Sequence, residues 1–159
     1  MNDTVLFKEV QRFRQWWLLS GIGLLMAWTI YEILQKGEKS PSVYTTFILL
    51  LLPVVLVLIF QMTTQITEEG IFVRMFPLII GPKLFSWENI SKAYTRTYKP
   101  LDEYMGWGIK GTKQNRAYNI SGNRGLQLEL KDGSKVLIGT QRPEEIDEIL
   151  RQFNKFNRH

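Results

Sequence analysis

The chain of 159 residues contains no cysteine, and its single histidine is the last residue, His159. Without cysteine, disulfides, thiolate metal sites and cysteine nucleophiles are excluded, while secretion is neither supported nor ruled out. One histidine at the end of the chain argues against a histidine-ligated metal centre and against a serine–histidine triad. These absences narrow the possible chemistry, and we expect a protein that is not an enzyme and that needs no cofactor or metal.

Charge is absent from residues 40–67, a run of 28 residues. About twenty apolar helical residues cover the ~30 Å hydrocarbon layer of a bilayer, so residues 43–62 predict a transmembrane helix with Pro53 near its middle. Residues 16–34 predict a first span, in which Glu32 is the only charge. The competing interpretations are a buried element of a soluble core for the second run and a signal peptide for the first.

The two predicted spans are joined by residues 35–41, which are too few to cross a bilayer and indicate the turn of a helical hairpin. Both termini then share one side, and the basic residues before the first span favour the cytoplasmic side. Ser20, Gly21 and Gly23 form a patch of small residues in the first span. We expect this patch to pack against the second span rather than to drive dimerisation.

The remainder of the chain alternates apolar and polar residues from residue 61 onward and predicts a domain rich in β-strands. Residues 1–15 are expected to be a polar leader with an amphipathic turn, and residues 99–115 a long loop. The predicted strands are 62–67, 71–76, 84–87, 89–98, 117–121, 126–130 and 135–138, the last three as a meander. A final amphipathic helix starts at Pro143, and its apolar face comprises Ile146, Ile149, Leu150, Phe153 and Phe156.

A twisted antiparallel sheet of about seven strands followed by one helix is the outline of a barrel like that of pleckstrin-homology (PH) domains. The predicted fold class is an α+β membrane protein, with an N-terminal two-helix transmembrane hairpin and a PH-like antiparallel β-barrel capped by a C-terminal helix. The predicted domains are residues 1–62 and 63–159.

Several segments carry a family resemblance. The most specific ones hold Trp107 between two glycines, Tyr118 before Asn119, and the run that ends at Pro143. The chain resembles an uncharacterised family of small bacterial proteins with two membrane spans and a cytoplasmic PH-like domain. The resembling segments are 67–71, 85–90, 106–110, 117–123, 125–130 and 137–143. The resemblance implies a fold, a topology and a multi-pass location in the bacterial inner membrane with cytoplasmic termini, but no activity.

Residues 83–124 hold eight basic and three acidic residues, within a net charge of +5 for the chain. A basic face beside a bilayer attracts anionic lipid, and nucleic acid is the competing polyanion that we do not expect as a partner. The candidate contacts for a partner or an anion are Trp107, Lys110, Lys113, Arg116, Asn123 and Arg124.

Each candidate motif has a plainer structural interpretation. Gly106, Gly108 and Gly111 satisfy the dinucleotide-binding spacing, but no βαβ unit surrounds them, so they predict a loop. Residues 121–125 fit either an anion-binding nest or a tight turn with positive φ at Gly122 or the next residue, and we favour the turn. Trp107 fits both an exposed, partner-facing edge and a core position.

The resulting functional expectation is a non-enzymatic, membrane-anchored PH-like module that mediates protein–protein interaction or self-association at the inner membrane surface. The alternative is a sensor or binder of anionic lipid through its basic face. The expected partners are the lipid bilayer and either another membrane or cytoplasmic protein or a second copy of the chain.

Overall fold

The computed structural model describes residues 4–13, 16–36 and 41–156, and within them the chain is an α+β protein with nine strands and four helices. The helices are α1, Trp16–Lys36; α2, Pro41–Ile59; α3, Pro100–Tyr104; and α4, Pro143–Phe156. The strands are β1, Val5–Arg12; β2, Gln61–Thr67; β3, Gly70–Phe76; β4, Lys83–Ser86; β5, Ile90–Thr97; β6, Gly108–Gly111; β7, Asn115–Asn119; β8, Arg124–Leu130; and β9, Lys135–Gly139.

The chain divides into two compact units. The smaller unit is Arg12–Phe60 and contains α1 and α2. The larger unit combines Met1–Gln11 with Gln61–His159 and contains both sheets. The first strand thus belongs with the C-terminal part of the chain, although some fifty residues separate them in sequence.

No helix within residues 16–36 and 41–156 is both long and apolar enough to cross a bilayer, so the predicted transmembrane hairpin is wrong. Its two segments do form helices, but Ser20, Thr29 and Glu32 interrupt the apolar sequence of α1. In α2 the apolar sequence is confined to residues 47–59, roughly 20 Å of helix against the ~30 Å of a hydrocarbon layer. The predicted multi-pass location at the bacterial inner membrane is wrong for the same reason.

In the smaller unit, α1 and α2 contact each other along one stripe of each helix. The half-buried positions recur at intervals of three and four residues, which places them on one helix face. They include Ile22, Met26, Thr29 and Ile33 in α1 and Phe47, Leu50, Val54 and Val57 in α2. No residue of 19–35 or 45–59 is fully buried, so the remaining faces of both helices are exposed.

The first sheet of the larger unit has the order β1-β2-β3-β4. The predicted hairpin of β2 and β3 is confirmed, with Ile66 opposite Ile71 across the turn at residues 68–69. The expectation of a polar leader with an amphipathic turn is wrong, because β1 is a strand at the edge of this sheet. Its Phe7, Glu9 and Gln11 are buried in alternation with exposed residues.

The second sheet has the order β5-β8-β9-β7-β6, and β7 pairs with β9 in parallel. The predicted meander is therefore wrong beyond the β8–β9 hairpin, since β9 inserts between β8 and β7. Val136, Leu137 and Ile138 are all buried, which is the continuous apolar pattern of a central strand covered on both faces. Two sheets with this crossover replace the predicted PH-like antiparallel barrel.

The predicted loop at residues 99–115 contains two short elements. Pro100 occupies the first turn of α3, and Met105 ends the helix in the left-handed conformation, with a φ of 59°. Tyr104 of α3 meets Tyr98 edge-on, with ring centroids 6.1 Å apart, so the segment is anchored in the core. Because this segment is rich in glycine, the sequence predicted a loop and not this anchor.

Helix α4 begins at Pro143 as predicted and packs on the second sheet. Ile146 and Leu150 of its apolar face are buried, and the ring of Phe153 lies 4.9 Å from that of Trp87. The side chain of Phe156, also predicted for this face, lies outside the described residues.

Candidate functional site

Each helix of the smaller unit carries a row of exposed residues on the face turned away from the contact between α1 and α2. One row on α1, here called the outer α1 row, comprises Gly21, Leu24, Trp28 and Tyr31; the outer α2 row comprises Ile48, Leu52, Val55 and Ile59. All eight residues are exposed, and neither row contains a charge. Soluble monomers seldom leave large apolar surfaces uncovered, so the two rows are a candidate site of association.

The small-residue patch of α1 lies on this open side and not in the contact with α2. A Cβ atom added to Gly21 or Gly23 would meet no atom within 4 Å. The prediction that this patch packs against the second helix is therefore wrong. Open space over two glycines allows the backbone of another helix to approach closely.

A second candidate site is a cleft of about 630 Å³ in the larger unit, between β4 of one sheet and the β7 and β8–β9 region of the other. We call it the basic cleft. Four basic side chains line it against one carboxylate. They are Lys83, Lys113, Arg116 and Lys131, with Asp132 as the acidic residue. Its other walls include the apolar side chains of Leu84, Leu130 and Val136.

Lys83 is held in place at one wall of the basic cleft. Its Nζ donates a hydrogen bond of 3.1 Å to the hydroxyl of Tyr118 and lies 5.2 Å from the ring centroid of Phe85. The two rings are themselves 6.3 Å apart and join the two sheets. The ammonium group is therefore positioned by aromatic contacts rather than left to sample solvent freely.

Arg116, which lines the basic cleft, also contains an unpaired donor. Its Nε is buried and has no hydrogen-bond partner in the part of the chain that the structure describes. A buried donor of a charged group without an acceptor is costly, and most such groups in native proteins are paired. Lys113 lies nearby in the turn that connects β6 to β7, and it is exposed.

The carboxylate in the basic cleft is already occupied by hydrogen bonds. Asp132 Oδ1 accepts from the backbone N and the Oγ of Ser134, at 2.9 and 2.6 Å. These hydrogen bonds, first the one from the hydroxyl, lower the pKa of Asp132. The group therefore stays ionised near neutral pH and supplies one negative charge to the cleft.

The structure separates the six sequence candidates into different places. Lys113 and Arg116 line the basic cleft, whereas Trp107 lies at the Gly122 turn, where its Nε1 donates to the carbonyl of Gly122 at 3.1 Å. Trp107 is exposed, to 36%, so the predicted core position is wrong, and the partner-facing role of this edge stays a prediction. The predicted tight turn is confirmed, because Gly122 has a φ of 77°.

The remaining candidates do not join the basic cleft. Arg124 forms an ion pair of 2.6 Å with Glu144, and the carbonyl of Asn123 accepts from the backbone N of Tyr98. Lys110 lies on β6, with its Cε beside Gly108. Arg116 and Arg124 are therefore engaged in different surroundings and do not share one anion site.

Sequence reasoning missed Lys131 altogether and counted Lys83 only as one charge in a basic segment. Neither is close in sequence to Lys113 or Arg116, and the parallel pairing of β7 with β9 brings these parts of the chain together. The signal available in the sequence was the Lys131-Asp132-Gly133 turn, which places a basic residue at the end of a predicted strand.

No family model, no curated protein and no solved structure matches this chain. Together with the absence of a spanning helix among residues 16–36 and 41–156, this result overturns the predicted membership in the family of small bacterial two-span proteins.

Proposed function

We propose that the chain is a non-enzymatic protein-association module that pairs with a second copy of itself through α1 and α2. The observation that carries the proposal is the pair of charge-free outer rows, both exposed along their length. A helix that is apolar on nearly all sides is normally buried in a larger assembly. Leu24, exposed to 73%, is the most exposed of the large side chains in these rows.

A second copy is the occupant that fits these rows best. Two-fold pairing through either row brings the same residues of each copy together, so an apolar row meets an apolar row without any unpaired charge. Ridges formed by residues three and four apart interdigitate when helices pack, and both outer rows have this spacing. The open space over Gly21 and Gly23 admits the facing helix at short range.

The energetic contribution of the rows is substantial. Burying one leucine side chain completely contributes about 1.5–3 kcal/mol, so a residue as exposed as Leu24 would add roughly 1–2 kcal/mol on association. Pairing through one row would bury six to eight such side chains across the two copies, because Gly21 has none, and their sum is of the same order as the loss of translational and rotational freedom, roughly 4–15 kcal/mol.

The absence of cysteine makes a single-cysteine crosslinking experiment unusually clean. Cysteine would be introduced into the full chain at Leu24 or Leu52 in the outer rows, at half-buried Met26 as a matched control, and at exposed Lys92 of the larger unit as a second control. Under mild oxidation, the outer-row variants should give a disulfide-linked product of twice the 18.6 kDa chain. The two control variants should give little.

The positions at which α1 and α2 crosslink test the proposal. A scan of residues 19–35 and 45–59 should show crosslinking maxima every three to four residues, centred on the outer rows. If no position crosslinks more than the Lys92 control, self-association through α1 and α2 is refuted. A crosslinked product of a different mass would assign the surface to another protein and would also refute pairing with a second copy.

A further inference from the structure

The basic cleft has no role in association through the helices, and its composition is unusual for a structural feature. Four cationic side chains converge on a volume of about 630 Å³ that contains one carboxylate. Like charges brought together repel one another, so this arrangement adds nothing to the stability of the fold by itself. The one carboxylate, Asp132, offsets only one of the four positive charges.

We infer that the basic cleft binds a small molecule that carries a phosphate group. A phosphate monoester brings a charge of about −1.5 to −2 and three acceptor oxygens, which can engage several of these donors together. A single carboxylate would leave most of the cations unneutralised. Arginine recognises phosphate through paired hydrogen bonds from its planar guanidinium group, and Arg116 lies half-buried at the wall of the cleft.

The shape of the cleft restricts the ligand to a small molecule with an apolar part. Its volume lies within the range of about 300–1,000 Å³ that is typical of small-molecule sites. Leu84, Leu130 and Val136 provide apolar walls beside the cations. The phosphate would lie between Arg116 and Lys83, and the organic part would lie along these walls.

Preorganisation supports the same conclusion. Lys83 is oriented by the hydroxyl of Tyr118 and by two aromatic rings, at 5.2 Å and 5.7 Å from their centroids. A ligand that contacts this ammonium group pays little to immobilise the side chain. Lys113 and Lys131 are exposed at the rim, where they attract an anion from solution before it enters.

Inorganic pyrophosphate is the first probe, titrated into the full chain by calorimetry at low and at moderate salt. We expect saturable binding to one site. Arg116→Gln should weaken it about tenfold or more, as expected when a charge-assisted contact is lost. Arg124→Gln is the matched control, because Arg124 lies outside the cleft in an ion pair with Glu144. It should change the affinity by less than about twofold.

A second variant distinguishes a loss of binding from a loss of folding. Lys113 is exposed, so Lys113→Glu should leave the melting temperature nearly unchanged while it weakens pyrophosphate binding about fivefold or more. If the Arg116→Gln chain fails to fold, this variant alone decides. Equal affinity of the wild-type chain and of Lys113→Glu would overturn the inference.

Phosphate could come from a soluble metabolite or from a lipid headgroup, and vesicles distinguish the two sources. Phosphatidylcholine vesicles with and without phosphatidic acid, whose headgroup is a phosphate monoester, would be compared for binding of the wild-type chain and of Arg116→Gln. Pyrophosphate binding that depends on Arg116 identifies a soluble ligand. Binding to anionic vesicles alone, again dependent on Arg116, identifies a headgroup. If neither probe binds in a way that depends on the cleft residues, the inference is wrong.

Discussion

Glu9 offers the sharpest test of the larger unit, because it joins the first strand to a segment more than 130 residues away. Its side chain is 6% exposed, and its two carboxylate oxygens accept from the Oγ of Thr140 at 2.6 Å and from the backbone N of Gln141 at 2.8 Å. On the strand, Glu9 is flanked by buried residues two positions away on either side. We predict that Glu9→Ala destabilises the protein substantially.

The magnitude follows from the two hydrogen bonds. Bonds to a charged group contribute about 1.5–3 kcal/mol each, and a buried donor left without an acceptor adds its own penalty. Because the hydroxyl of Thr140 can turn to another acceptor, we expect a loss of about 2–4 kcal/mol for Glu9→Ala. That is a large fraction of the ~5–15 kcal/mol by which domains are stable.

Urea unfolding of the full chain, followed by tryptophan fluorescence, measures this loss. Lys8→Ala is the matched control on the same strand, since Lys8 is exposed and only its backbone carbonyl accepts a bond, from Arg142. It should change the free energy of unfolding by less than about 0.5 kcal/mol. A double-mutant cycle of Glu9→Ala with Thr140→Val should give a coupling of about 1 kcal/mol or more. If Glu9→Ala and Lys8→Ala are equally stable, β1 does not pack against the Thr140 segment as described.

Three further predictions concern other parts of the larger unit. Trp107→Phe should lower the free energy of unfolding by about 1 kcal/mol, because the indole hydrogen bond is lost. Trp107→Ala should lower it by about 2–3 kcal/mol, because part of the packing is lost as well. Chemical denaturation measures both changes, and a decrease below about 0.5 kcal/mol for Trp107→Ala would contradict the packing. Gly111→Ala should lower the melting temperature by several degrees because its φ is 83° and a Cβ would strike a backbone carbonyl, whereas Gly81→Ala, in open space, should not. The hydrogen bond from Arg96 lowers the pKa of Glu103. The stability that this ion pair contributes is therefore fully present above the unfolded pKa of about 4.3 and is lost as the pH falls through the lower folded value. Glu103→Gln should reduce the dependence of stability on pH in urea titrations between about pH 5 and pH 3, and an unchanged dependence would contradict the contribution of this pair.

Local features explain which elements could be predicted from sequence. The β2–β3 hairpin has a two-residue period on both sides of a short turn, and its register is the one that this period implies. The β8–β9 hairpin turns at Gly133, which has a φ of 82°. Helix α4 starts at a proline and buries one face at helical spacing. All three depend on residues within about a dozen positions of one another.

In the helical unit, hydropathy alone led to the wrong prediction of a transmembrane hairpin. The sequence of α2 is apolar enough to suggest a span, but the apolar part of the helix is too short once its bounds are known. Which face of α1 meets α2 was also decided only by tertiary structure. Period and composition cannot tell whether Gly21 and Gly23 point toward the neighbouring helix or away from it, and they lie in open space.

The sequence by itself determined the hairpins, the last helix and the basic character of residues 83–124, since periodicity, turn residues and charge are properties of neighbouring positions. Tertiary structure decided the insertion of β9 between β8 and β7, the docking of β1 and the convergence of Lys83, Lys113, Arg116 and Lys131 on one cleft. The physical reason is that these arrangements pair segments far apart along the chain. Their free energy depends on which buried surfaces and hydrogen-bonding groups match, and no local pattern records that match.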